Sequence, residues 1–428
     1  MKMRILHQAV ILITIVLVIP VSLLSCGGSS GSSNGPVTLT FWVRASDSDF
    51  TTPLVKQYNA THKTQIKLSV IPNAQFVTKF GTSVAGGLAP DVMAIDLIYL
   101  PAFNAVNEMT DITDKVNQLP FKDKLIPSHM RLASYNGRQY GVPYSADTSA
   151  LLYNKNLFRQ AGLDPNKPPT TWAEIEADSK KITALGNRIY GFYFSGSCAG
   201  CNIFTFTPYI WASGGDVLSA DGKTATWTTS SPVKDALTFY RRLWTEGQIP
   251  PGAKVDDGAN FLNAFTTGKI GMTGSGTFAI ATLKNQFPKL DFGIAPLPGE
   301  NGGTSSFAGG DVFGIPHGSK HPNEAWDFIS WCLSDQVQVN ILAQHNELPV
   351  RTDLANNQYT AKDPRYLTLS KALAQGRTPY STHFNQLFND QNGPWLAALE
   401  KAIFDGKIDE AITTAQQRFT QIINSPVS

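Results

Sequence analysis

Val37-Thr38-Leu39-Thr40-Phe41-Trp42-Val43 is the stretch on which the fold turns, because it reads as a first strand and sets the rhythm of the segments after it. A helix is predicted over 53–61, then a second strand, Ile66-Lys67-Leu68-Ser69-Val70. Another helix, over about 75–85, stops at Gly86-Gly87. The third strand, Asp91-Val92-Met93-Ala94-Ile95, is apolar enough to be buried on both faces. Strand, helix and strand at this spacing predict parallel βαβ units. The middle of the chain is also α/β, but richer in helix. Thr171-Trp172-Ala173-Glu174 has the capping-box pattern, and Gly186 closes that helix. Pro232 and Gly247 bracket another, with Leu237, Tyr240 and Leu243 or Trp244 on one face. A Pro322-started helix buries Trp326 and Ile329, and helices over 394–404 and 407–423 finish the chain.

Ahead of the first strand, residues 1–25 read as a secretory signal peptide. Lys2 and Arg4 give a basic start, an apolar run extends from Ile5 to Leu24, and small residues precede a cut. Leu23-Leu24-Ser25-Cys26 resembles a bacterial lipobox, which implies lipidation of Cys26 and a membrane-anchored lipoprotein. Residues 26–36 are rich in Gly and Ser and read as a flexible tether. The competing reading is an uncleaved anchor, since the run is just long enough to span a bilayer. Both readings put the rest of the chain outside the cytoplasm, in a periplasm or on the outer cell surface. The remaining residues, about 400 of the 428, are too many for one core and suit two domains.

The formal charge is only +2, and no Lys/Arg run or basic stripe occurs, which excludes nucleic acid as a partner. Charged residues make up 16% and aromatics 11%, a balance that leaves rings available for a ligand cleft. Of the four cysteines, Cys198-Ala199-Gly200-Cys201 form a CxxC in a Ser/Gly loop. A redox pair wants a strand-to-helix setting and a zinc site wants a second Cys/His pair, so no metal or other cofactor is expected. In an oxidising compartment a loop-stapling disulfide is the plainest reading. Cys332 sits in an apolar helix and reads as an unreactive core thiol.

Several motifs in order resemble the family 1 extracellular solute-binding proteins, the maltose-binding-protein-like sugar receptors of ABC importers. Ala89-Pro90-Asp91-Val92 is followed by Gly137-Arg138-Gln139-Tyr140-Gly141-Val142-Pro143-Tyr144 and then Asp147-Thr148-Ser149-Ala150-Leu151-Leu152-Tyr153-Asn154-Lys155, the most specific match. Pro169-Thr170-Thr171-Trp172, Phe265-Thr266-Thr267-Gly268-Lys269, Gly293-Ile294-Ala295-Pro296-Leu297-Pro298-Gly299 and Leu348-Pro349-Val350-Arg351 continue the series. The resemblance implies a two-lobe (type II) periplasmic-binding-protein fold of the α/β class. Each lobe is a mostly parallel sheet flanked by helices, and the ligand lies in the cleft between lobes. The crossings carried over lie near 144–148, 298–306 and 347–350. They give an N-terminal lobe of 37–144 plus 305–347 and a C-terminal lobe of 145–304 plus 348–428. The implied function is capture of a sugar, with an oligosaccharide favoured, and delivery to ABC permease transmembrane subunits by a monomer that performs no chemistry.

A sugar needs donors and acceptors for its hydroxyls and flat rings for its C–H faces. Open α/β sheets bind ligands beyond the carboxyl ends of their strands, which selects the candidates. Asp147 stands at the first crossing, Asp96 ends the third strand, and Ser46 and Asp47 follow the first. Gln75 opens the helix after the second strand. Phe278, after Gly274-Ser275-Gly276-Thr277, is the leading stacking ring, joined by Trp42, Phe204 and Trp211. Gly309, Gly310 and Asp311 offer backbone N–H groups and a carboxylate near the second crossing, and Arg351 is the cleft arginine that the resemblance implies. Two alternatives stay open. One is another small polar solute, such as a glycerol phosphate, on the same fold. The other is a secreted carbohydrate-active enzyme using paired carboxylates such as Asp96 and Asp147, although no Gly-x-Ser-x-Gly surrounds Ser275 and no HExxH motif occurs.

Overall fold

The computed structural model describes residues 36–259 and 261–427. The signal peptide, the lipidation site Cys26 and the tether up to residue 35 lie outside the described residues. Nine strands build two sheets: β1 (Thr38–Arg44), β2 (Gln65–Ile71), β3 (Val92–Asp96), β4 (Gly141–Pro143), β5 (Ala150–Asn154), β6 (Tyr190–Tyr193), β7 (Ile270–Ser275), β8 (Phe292–Ala295) and β9 (Asp311–Gly314). The first sheet has the order β2-β1-β3-β9-β4 and the second β8-β5-β7-β6. β1 runs parallel to β2 and β3, and β7 runs parallel to β6, as βαβ connections require.

Each sheet contains one strand that runs against the rest, β9 in the first and β5 in the second. The cause is the route of the chain. Asp147–Thr148, just before β5, pairs with Ala308–Gly309, just before β9, in a short antiparallel ribbon between the sheets. A chain that crosses on this ribbon enters its new sheet at the edge where the other strands finish, so it must run backwards. The register agrees: Asp311 at the start of β9 faces Asp96 at the end of β3. Ala150 at the start of β5 likewise faces Ser275 at the end of β7.

Period-two alternation fills the cores. Leu39, Phe41 and Val43 of β1 are fully buried on one face, where the Phe41 ring meets Phe328 edge-on at 5.3 Å. In β3 all four residues from Val92 to Ile95 are buried, Val92 and Ala94 in one core and Met93 and Ile95 in the other. Asp91 is structural, its carboxylate accepting the N–H and hydroxyl of Thr40 at 2.8 Å each. The helices Pro394–Ile403 and Ile408–Ile423 close the second core through Trp395 and Phe419, which pack around Trp227.

Some element limits differ from the sequence reading. The first helix is Ser48–Thr61, with Pro53 inside it, because a one-turn 3-10 segment (Ala45–Asp47) already bends the chain after β1. Thr171 caps its helix by accepting the Glu174 N–H at 3.2 Å, but the Glu174 carboxylate reaches one residue further out, to the Thr170 N–H at 2.6 Å. Residues 297–305 form a hairpin of their own, ahead of the Ala308–Gly309 ribbon. Leu348 and Val350 pack in the first core, Ile126 N–H donates to the Val350 carbonyl, and Thr352 donates to Lys124. Cys198 and Cys201 form a disulfide, and Cys332 is a buried free thiol.

Candidate functional site

A cavity of about 480 Å³ opens where Arg44, Asp96 and Thr277, at or just past the ends of β1, β3 and β7, meet the crossing ribbon. Arg44, the last residue of β1, organises its polar side. Its Nε donates to Asp311 at 2.9 Å and its Nη2 donates to the other oxygen of the same carboxylate. Nη1 lies 3.2 Å from the Asp96 carboxylate. This two-pronged grip matches the planar guanidinium to a carboxylate. Burial works against the Arg44 charge, but Asp311 and then Asp96 outweigh it and hold its pKa well above the ordinary arginine value.

The carboxylates around it respond to the same burial. Asp47, at the end of the 3-10 turn, is 7% exposed, and its Oδ2 has no partner. Burial, and then the charge of Asp311, push its pKa well up against the pull of Arg44. Asp96 is raised to about 6 by burial first and then by Asp311, again against Arg44. Asp147 accepts the N–H groups of Thr277 and Thr148 at 2.8 Å each. Burial raises its pKa, and those N–H groups only partly offset the rise. Glu347 is brought in by Asn346, whose φ of 68° turns the chain sharply after the short helix Ala343–His345. Burial, then Asp147 and Asp49, raise Glu347 to about 8.

The opposite side is aromatic. Phe278, the first residue of the helix Phe278–Gln286, keeps 44% of its surface exposed. Phe204 comes from the helix Ala199–Thr205, whose start is stapled by the Cys198–Cys201 disulfide, and packs against Phe307 at 5.6 Å. Two glycines make the geometry possible. A Cβ on Gly276 would stand 2.6 Å from the Phe278 ring and 2.9 Å from the Asp147 carboxylate. Gly310 has φ 122°, and a Cβ there would lie 2.2 Å from the Ser145 carbonyl oxygen. Among the described residues no group of His, Cys, Asp and Glu is arranged to hold a metal ion.

Of the residues selected from sequence, Ser46, Asp47, Asp96, Asp147, Phe204, Phe278, Gly309 and Gly310 line this one cavity. Five do not line it. Arg351 is 5% exposed, grips Asp335 and Asp353, and lies over the Phe121 ring, so it anchors the first core instead of reaching the cleft. Asp311 is fully buried beneath the floor as the partner of Arg44. Trp211 is buried behind Phe307, with ring centroids 6.1 Å apart. Trp42 points to the side of β1 where Lys79 covers its ring. Gln75 is exposed on its helix, and Asn73, two residues earlier, reaches the cavity instead. Asn73, Phe307, Glu347 and Arg44 were not selected. The signals were present, since Arg44 ends a strand, Asn73 follows one, and Phe307 and Glu347 lie at or next to expected crossings.

The family described as bacterial extracellular solute-binding protein matches this sequence over residues 44–339, well over half of the chain. The chain belongs to that family. Among similar solute-binding proteins is the diacetylchitobiose binding protein DasA of Streptomyces coelicolor, 26% identical over 79% of this chain and 80% of its own. The multiple sugar-binding protein of Streptococcus mutans is 26% identical over 76% of this chain and 78% of its own. A solved cyclic alpha-maltosyl-1,6-maltose binding protein of Arthrobacter globiformis superposes with a TM-score of 0.78 at 25% identity, covering 91% of this chain and 99% of its own. The sugar-binding protein MalE of Xanthomonas citri shares the fold with a TM-score of 0.80 at 23% identity, over 90% of this chain and 97% of its own. The type II two-lobe α/β architecture follows from these likenesses. Membership in an extracellular solute-binding family implies that the chain works outside the cytoplasm, and among the described residues no helix is long and apolar enough to cross a membrane.

Proposed function

We propose that this protein captures a sugar, with an oligosaccharide favoured, in the cavity between its two sheets and presents it to the permease of an ABC importer. The observation that carries this reading is the pairing of opposites across one cavity. Carboxylates at strand ends face the rings of Phe278 and Phe204, which is what hydroxyls and C–H faces respectively require. A volume of about 480 Å³ is large enough for more than one sugar ring. Relatives named for diacetylchitobiose and for multiple sugars support the same solute class. The sheets are the centres of two lobes that hinge at the Asp147–Thr148 and Ala308–Gly309 ribbon, and binding energy shifts the open–closed equilibrium.

In this reading the receptor performs no catalysis, acts as a monomer, and is held at the membrane through a lipid on Cys26. A glycerol phosphate is the weaker alternative. Arg44 is the one Lys or Arg among the described lining residues, and its donors already serve Asp96 and Asp311. A thermal-shift screen of the mature chain against mono-, di- and oligosaccharides, with glycerol 3-phosphate alongside, tests the reading. We expect a midpoint rise with at least one sugar and none with the phosphate. A rise with the phosphate alone, or loss of intact oligosaccharide on prolonged incubation, would overturn it.

A further inference from the structure

The cavity holds more acidic groups than a neutral guest needs and too few cations to balance them. Asp47, Asp96, Asp147 and Glu347 line it, with Asp311 just beneath. Against them stands Arg44, and its guanidinium is shared between Asp96 and Asp311. His345 also lines the cavity, but its Nδ1 is engaged by the Ile341 carbonyl at 2.7 Å. Among the described residues no Lys, Arg or His lies within ion-pair distance of Asp47, Asp147 or Glu347. Asp47 is also more than nine-tenths buried with one carboxylate oxygen, Oδ2, unpartnered, although it lines the cavity.

A buried carboxylate with an empty lone pair and no counter-charge is unfavourable unless something arrives to satisfy it. A neutral sugar hydroxyl supplies one donor and no charge. Closing the lobes over such a guest strips water from three acids that have no cation, so they must keep or take up protons to avoid uncompensated charge. A protonated amine supplies three N–H donors and the missing positive charge from one atom. We propose that the guest is a basic amino sugar whose ammonium group docks against Asp47, Asp147 and Glu347, while its ring stacks on Phe278. This rests on the sugar reading and narrows it to a cationic class. Burial raises the proton affinity of all three, as it does that of Asp96, and an ammonium group beside them would oppose that rise.

Titration calorimetry with matched pairs tests the idea, using glucosamine against glucose, galactosamine against galactose, chitobiose against cellobiose and chitotriose against cellotriose. The N-acetylated forms serve as a third arm that keeps the nitrogen and removes its charge. We expect at least one free amine to bind tenfold or more tightly than both its hydroxyl and its N-acetyl counterparts. We also expect Asp47→Asn and Glu347→Gln, each checked for native circular dichroism, to reduce that preference several-fold. A hydroxyl or N-acetyl sugar that binds as tightly as its amine overturns the proposal and leaves the sugar reading standing. No binding by any member overturns both.

Discussion

Arg44, Asp47 and Asp96 reach the cavity from the strand ends of the first sheet, whereas Phe204 and Phe278 reach it from helices that follow the strands of the second. The two walls differ in how much of the fold depends on them. The polar wall is a buried, interlocked set in which Arg44 holds Asp96 and the fully buried Asp311. The aromatic wall offers Phe278 with 44% of its surface still open, so the fold leans on that ring little. One wall should therefore report mainly in stability and the other mainly in affinity, with Asp147 on the crossing ribbon reporting in both.

The largest effect is expected at the polar wall. Arg44→Ala leaves a buried carboxylate without its cation and should lower unfolding free energy by about 3–5 kcal/mol in urea titrations. A loss near zero would remove the contrast between the walls. Asp147→Ala comes next. Its carboxylate caps Thr277 as well as facing the cavity, so we expect a loss of about 1 kcal/mol in stability together with at least tenfold weaker sugar binding. Affinity unchanged by calorimetry would reduce Asp147 to a helix cap.

Glu347 sharpens the comparison through pH. Unfolded, it releases its proton near the ordinary value of 4.5, while in the fold it keeps it up to about 8. Between those values the folded chain binds more protons, so stability falls as pH rises. His129, buried and lowered to about 4 from 6.5, acts in the opposite direction below pH 6.5. Above pH 6.5 the opposing His129 contribution is gone, so between pH 6.5 and 8 the thermal midpoint without ligand should decline, and Glu347→Gln should make the decline shallower, with Asp47, also raised, acting in the same direction. An equally steep decline in the variant would mean that Glu347 is not the group responsible. The smallest effect on the fold is expected at Phe278→Ala, within about 0.5 kcal/mol in stability, with affinity weakened about three- to tenfold. A clear fall in melting temperature would show that the aromatic wall also supports the fold.

The same contrast explains what the sequence disclosed. The β1–β2–β3 region was legible because alternation, helix and glycine stops repeat locally, and the carboxyl-end rule then led directly to Ser46, Asp47 and Asp96. Phe278 was legible from the Gly-rich turn ahead of it. Arg351 misled because a motif position does not reveal that Asp335 and Asp353 already hold its guanidinium. Trp211 and Trp42 misled because a ring beside a cleft in sequence can turn to its core side, a choice made by Phe307 and Lys79. The reversed strands β5 and β9 were not legible at all. Their direction depends on pairing between residues 147–148 and 308–309, which lie about 160 positions apart.

The most direct test is a crystal structure of the mature protein with the tightest-binding sugar from the screen. Sugar density is predicted between the Phe278 ring and the carboxylates of Asp47, Asp96 and Asp147. Sugar bound elsewhere, with that cavity left to water, would contradict a receptor built around this cleft.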